Sequence, residues 1–194
     1  MSAVLKPLTA PDARRRLRGR LQLLLILAMV IGPMVLASLM YKFQFWVPEG
    51  RSYHGQLIGN GQSREQLGVQ SAETRWQLLV TSPQDCSHEC QQLVYLARQV
   101  QIGLSRDASR ASHALASATA LAPDYSARLA RHYPRLERLD LDLARYRALT
   151  DGLEGAHLWI VDPHGNLVLR YDATVDGKAL LNDLRQLLKL SNIG

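Results

Sequence analysis

Apolar and polar positions divide the chain into three stretches. Leu21 to Tyr41, "LQLLLILAMVIGPMVLASLMY", is an unbroken run of 21 residues without a charged side chain. At the helical rise of about 1.5 Å per residue it spans roughly 31 Å, the thickness of a bilayer hydrocarbon core. A transmembrane helix is expected over 21–45, with Tyr41, Phe43, Phe45 and Trp46 as an interfacial aromatic belt. A cleaved signal peptide has a shorter apolar core, about 7–15 residues, and a small-residue cleavage site. Gly32-Pro33 is tolerable inside a membrane helix. From residue 46 to 72, Gly and polar residues dominate, which reads as a linker with a small strand near Gln56–Ile58.

After residue 72 the patterning becomes that of a folded domain. "RWQLLVT" (75–81) is apolar and strand-forming, and "SPQD" breaks it at Pro83, with Asp85 available as a helix cap. Residues 90–104 place Leu93, Leu96, Val100 and Leu104 at helical spacing. A second strand is expected near His113–Thr119, a helix over 123–139 and a short helical or irregular stretch from Asp140. "AHLWIV" and "LVLRYD" flank "DPHGN", a hairpin in which Gly165 can take positive φ. Residues 176–190 carry leucines along one face of a terminal helix. Strand, helix, strand, helix, hairpin, helix is the thioredoxin-like order. The expected fold class is therefore α/β, a thioredoxin-like domain at 73–194 on a single N-terminal transmembrane helix.

The net charge of +6 changes this picture little. Residues 1–20 hold Lys6 and Arg14, Arg15, Arg16, Arg18 and Arg20 against Asp12, which leaves 17 basic and 16 acidic side chains for the remainder. Nucleic-acid binding needs positive charge gathered on a folded face, so that class is set aside. Arginines before the apolar run, with only Lys42 and Arg51 soon after it, predict a cytoplasmic basic tail at 1–20. The domain is then expected in the periplasm of a bacterium, an oxidising compartment. A mitochondrial inner-membrane protein facing the intermembrane space would share this pattern but lacks a reason in the sequence, since no transit peptide is visible.

Candidate chemistry concentrates in "TSPQDCSHEC", which holds the two cysteines, Cys86 and Cys90. Residues four apart on a helix have Cβ atoms about 5–6 Å apart, whereas a disulfide wants about 3.5–4.5 Å. The pair can close over a distorted first turn, or stay open and clamp a soft ion such as Cu(I) with a third ligand. A helix N-terminus lowers thiol pKa, His88 assists when protonated, and Asp85 and Glu89 oppose. Three uses stay open: a structural disulfide, a redox couple, or a metal clamp. His88 would point away from Cys86 on a regular helix. His54 and His164 read as solvent-exposed, while His113 and His132 have no partner motif. Asp140 and Asp142 read as a solvated face rather than a catalytic carboxylate pair. No nucleophile-elbow, P-loop or dinucleotide motif occurs.

"RWQLLVTSPQDCSHECQQLVYLARQV" with "HLWIVDPHGNLVLRYD" and "LLNDLRQLLKL" resembles the Sco/SenC family of cytochrome c oxidase assembly proteins. The resemblance covers about half of the expected domain. It implies a membrane-anchored thioredoxin-like fold whose two cysteines and a distant histidine bind copper. The copper is delivered to the oxidase subunit carrying the dinuclear copper site, or the cysteines keep that site's thiols reduced. Carried over, Cys86 and Cys90 are the cysteine pair and His157 is the candidate third ligand, the other reading of His157 being a half-buried strand histidine. The chain departs from the family at two places. Asp151 is not followed by histidine, and the cysteine loop has proline only at Pro83. Thioredoxin-type oxidoreductases place a cis-proline before the hairpin strand, whereas residues 149–161 contain no proline. The rival functions are a membrane-tethered thiol–disulfide reductase for another client, and an interaction protein with a structural disulfide.

Overall fold

The structure, a computed structural model, describes residues 11–43 and 53–191. The chain divides into two units, Met1–Gly50 and Arg51–Gly194. In the first, helix α1 (Pro11–Phe43) runs without a break through Pro33. Its segment Arg18–Leu39 has mean hydropathy 2.3 and none of it is buried, so it is long and apolar enough to cross a membrane. Helical backbone begins ten residues before the expected span, because the arginine-rich stretch is itself a good helix former. Of the expected aromatic belt, Phe45 and Trp46 lie outside the described residues, as does Lys6 of the tail.

The second unit is built on a six-stranded sheet in the order β1-β6-β5-β2-β3-β4. The strands are β1 (Gln56–Leu57), β2 (Trp76–Ser82), β3 (Ala111–Ser117), β4 (Glu137–Asp140), β5 (His157–Val161) and β6 (Leu167–Tyr171). β2, β3 and β4 run parallel, β5 lies antiparallel to β2, β6 antiparallel to β5, and β1 antiparallel to β6. Between β2 and β3 stand helix α2 (His88–Gly103) and a 3-10 turn, Ser105–Arg110. Helices α3 (Pro123–His132), α4 (Leu143–Thr150) and α5 (Gly177–Leu190) complete the domain.

Strand alternation sorts the apolar side chains into two cores. On one face Leu78, Val80, Leu115, Leu158 and Ile160 pack with Cys90, Leu93 and Ala97 of α2, Leu129 of α3 and Leu180 and Leu184 of α5. On the other, Leu79, Ala114, Trp159 and Val161 pack with Leu67, Val69 and Tyr146 of α4. β2 is buried along its whole length, as a central strand covered on both faces must be.

Two expectations need correction. Residues 53–72 of the expected linker belong to the domain. Arg64 is buried, donating to Gln77 Oε1 (2.8 Å) and the Ser71 carbonyl (2.6 Å), and Gln77 passes the chain on to Glu137 Oε2 (2.8 Å). Leu67 and Val69 then close the second core. Between them Gly68, at φ +89°, carries its backbone against α4, where any Cβ would stand 2.7 Å from the Asp142 carbonyl oxygen. Second, the helix expected over 123–139 ends at His132, and Glu137–Asp140 is an edge strand. The terminal helix and hairpin follow expectation, with Gly165 at φ +87° and Asp162 Oδ1 accepting from the His164 and Asn166 amides.

Candidate thiol–disulfide site

β2 delivers the chain to the end of the sheet at Ser82, whose hydroxyl donates to the Gln84 carbonyl (2.9 Å), and buried Pro83 starts the turn. Ser87 is the N-cap of α2 without a side-chain cap bond, and Cys86 lies just outside the helix. That placement supplies the distortion a regular helix lacks. Cys86 and Cys90 form a disulfide with Cα atoms 5.1 Å apart, inside the usual range. Gln91 Nε2 donates to the Cys86 carbonyl (3.2 Å) and the Gln91 amide to the Ser87 carbonyl (3.0 Å), which tie the loop to the first turn.

The two sulfurs are unequal. Cys90 is fully buried in the core under α2, whereas Cys86 is half-buried at the surface, beside exposed Asp85, Ser87, His88 and Glu89. An incoming thiolate reaches a sulfur only along the S–S axis and only where solvent does, so of the two sulfurs Cys86 is the one open to attack. The unpaired first-turn N–H groups of α2 favour a thiolate there once the bond is opened, and Glu89 in the same turn offsets part of that effect.

His157 sits at the same end of the sheet and on the other face. It opens β5 directly opposite Thr81, whose Oγ1 accepts from the Trp159 indole (2.9 Å). Trp159 belongs to the second core, while Leu158 and Ile160 share the first core with Cys90. With side chains alternating along a strand, His157 falls on the Trp159 side, away from the cysteines. Burial, and then the Arg170 charge, push its pKa down. The structure therefore joins Cys86 to Cys90 and does not bring His157 to them. Among the described residues no three His, Cys, Asp or Glu side chains stand together as a metal-binding group. The donors present thus do not fit the expected three-ligand copper site. Of the other histidines, His54, His88, His132 and His164 are exposed as expected, and His54 also bonds through Nδ1 to Asp183 (2.8 Å). Asp142 is exposed and caps α4, accepting from the Ala144 and Arg145 amides. Gln91 carries no motif signal, and only its helical position beneath Cys86 reveals its role.

These features define a thioredoxin-like domain with a helix-head disulfide, preceded by a helix able to anchor it in a membrane. The chain belongs to the transmembrane-like, thioredoxin-like family: residues 76–191 match the model of its C-terminal domain and residues 11–44 that of the transmembrane-like N-terminal domain. Among solved structures it is similar to copper-bound ScoI of Arabidopsis thaliana, at 11% identity over 61% of this chain and 87% of that one, with a TM-score of 0.48. Apo Sco1 of Thermus thermophilus is 16% identical over 70% of this chain and 96% of its own, also at 0.48. A putative thiol:disulfide interchange protein DsbE of Chlorobium tepidum is 15% identical over 66% and 84%, at 0.42. Likenesses this distant carry no information on chemistry. No curated protein matches the chain.

Proposed function

We propose that this protein is a membrane-tethered thiol–disulfide exchange protein that passes two electrons between Cys86/Cys90 and a cysteine pair of a client. The observation that carries this reading is the asymmetric disulfide at the head of α2, one sulfur reachable and one buried. In the reducing direction the Cys86 thiolate attacks a client disulfide, forms a Cys86–client mixed disulfide and releases one client thiolate. The Cys90 thiolate then attacks Cys86 Sγ, which closes the Cys86–Cys90 bond and releases the second client thiolate. A dithiol donor returns the two electrons. A structural staple explains the pair less well. Bridging residues only four apart restricts the unfolded chain by about 2 kcal/mol, near the low end for disulfides.

The client is taken to be the cysteine pair of the dinuclear copper site of cytochrome c oxidase, on the strength of the Sco-like sequence pattern. The arginines ahead of the anchor support a periplasmic position for the domain. Copper delivery through Cys86, Cys90 and His157 is the second reading from that pattern. It requires the disulfide to open and a third donor to cross the sheet.

The deciding experiment uses the full chain in neutral detergent, titrated in a glutathione buffer and, once reduced, with Cu(I) against a competing chelator. Equilibration with glutathione above about −300 mV is expected. Cys90→Ser should trap a mixed disulfide and Cys86→Ser should form none. A pair that stays oxidised throughout would overturn exchange in favour of a staple. Any Cu(I) retained should depend on both cysteines and be indifferent to His157→Ala; tight copper weakened by that substitution would restore the delivery reading.

A further inference from the structure

At the end of the sheet opposite the cysteines, a cavity of about 690 Å³ opens between α2, the 3-10 turn, the start of β3 and the segment after α3. Arg98 is 8 residues and Gln101 is 11 residues beyond Cys90, which puts the cavity roughly 12–17 Å along the helix axis from the disulfide. Three arginines line it, Arg75, Arg98 and Arg135, together with Ile102, Tyr133 and His113, and no carboxylate does. Arg75 is engaged with Glu73 through a two-pronged ion pair. The Arg98 guanidinium carbon stands over the Tyr133 ring, 5.0 Å from its centre, a cation–π contact that uses none of the guanidinium's N–H donors. Neither Arg98 nor Arg135 meets a carboxylate among the described residues. Lone cations facing one cavity repel each other and are relieved by an anion.

His113 forms the buried part of the lining, 3% exposed. Its Nδ1 lies 2.5 Å from Gln101 Oε1, while Gln101 Nε2 donates to the Ala111 carbonyl (2.6 Å). Oε1 is thus the acceptor, Nδ1 holds the hydrogen, and Nε2 is left as a buried acceptor with no partner. A buried unpaired acceptor is costly and is satisfied by a hydroxyl or a proton.

We propose that this cavity binds a small organic anion, a carboxylate or phosphate group carried on an apolar body. Arg98 and Arg135 hold the charge, Tyr133 and Ile102 pack the body, and Nε2 of His113 takes a proton or a ligand hydroxyl. The volume suits a ligand of drug-like size. Burial first, then the charges of Arg98 and Arg135, hold the His113 pKa down at about 4. An anion between the two arginines offsets their share and leaves that of burial. Binding therefore raises the His113 pKa part of the way back, with proton uptake confined to acidic pH, between the free and the bound values.

The test follows ring-labelled histidine NMR signals of the full chain in neutral micelles, with His113→Gln to assign the resonance. Phenyl phosphate and benzoate are the ligands, and inorganic phosphate and benzyl alcohol are the controls. Saturable shifts of the His113 ring with either organic anion are expected, with a raised pKa. The Arg98→Gln/Arg135→Gln double variant should bind at least about tenfold more weakly. Its other five histidine signals should be unmoved, which shows that it is folded. A silent His113 ring, equal binding by the double variant, or equal binding of benzyl alcohol or inorganic phosphate would overturn the proposal. Phosphatidylcholine nanodiscs with and without phosphatidic acid locate the source. A shift from the lipid alone assigns a headgroup, and a shift only with added phenyl phosphate assigns a soluble anion.

Discussion

Asp183 shows how one residue can hold a domain's edge. It lies on the buried face of α5, 1% exposed, and accepts from the His54 amide (2.7 Å), the Gly55 amide (3.1 Å), His54 Nδ1 (2.8 Å) and the Tyr171 hydroxyl (2.7 Å). Burial, reinforced by this carboxylate, pushes the Tyr171 pKa up, so the phenol stays a donor. Asp183→Asn turns one acceptor into a donor facing donors, and a loss of about 2–4 kcal/mol is expected by urea denaturation. Tyr171→Phe removes a single bond and should cost about 1 kcal/mol. His113 sets the pH dependence. Its pKa is held at about 4 in the fold against 6.5 ordinarily, so the unfolded chain binds more protons between these values. That contribution is whole above pH 6.5 and is lost as pH falls toward 4, amounting to about 2–3 kcal/mol. His157 shifts in the same direction, and Glu73, lowered to about 2 by Arg75, acts only below pH 4.5. Urea midpoints compared at pH 7.5 and 4.5 should show this loss, and His113→Gln should flatten it.

At the scale of elements, the two faces of the sheet do separate work. α2 and α5 cover the face that carries the disulfide, and α4 with residues 67–69 covers the other. Gly68→Ala strains a positive φ and drives a Cβ into the Asp142 carbonyl, which should cost about 1–3 kcal/mol. Because that damage lies across the sheet from Cys86 and Cys90, the rate of exchange with glutathione should be unchanged under conditions where the variant is folded. A parallel loss of rate would mean that the faces are coupled. Elements were legible where burial was strong. β2, β5, α2 and α5 stand within two residues of their apolar patterns because a central strand and a helix stripe each write their environment into the sequence. β4 was not legible. "ERLD" is a short, half-exposed edge strand, and its extended backbone comes from pairing with β3. Residues 53–72 were missed for a related reason, since two buried apolar side chains, Leu67 and Val69, and a buried arginine do not make a periodic pattern.

At the scale of the molecule, the proposed exchange function and periplasmic orientation make a prediction about access to Cys86. After gentle reduction of spheroplasts, Cys86 should be labelled by an impermeant maleimide without permeabilisation. Protection until the membrane is opened would reverse the assigned orientation. The sequence by itself determined the anchor, the thioredoxin-like order and the cysteine pair at a helix head. Each of these is written locally, in hydropathy, periodicity and spacing. Only the tertiary structure decided which sulfur is reachable, that His157 stands across the sheet from the cysteines, and that Arg98, Arg135 and His113 share one cavity. Face and proximity depend on strand register and on which elements pack together, and a one-residue change of register reverses every face while leaving the composition untouched.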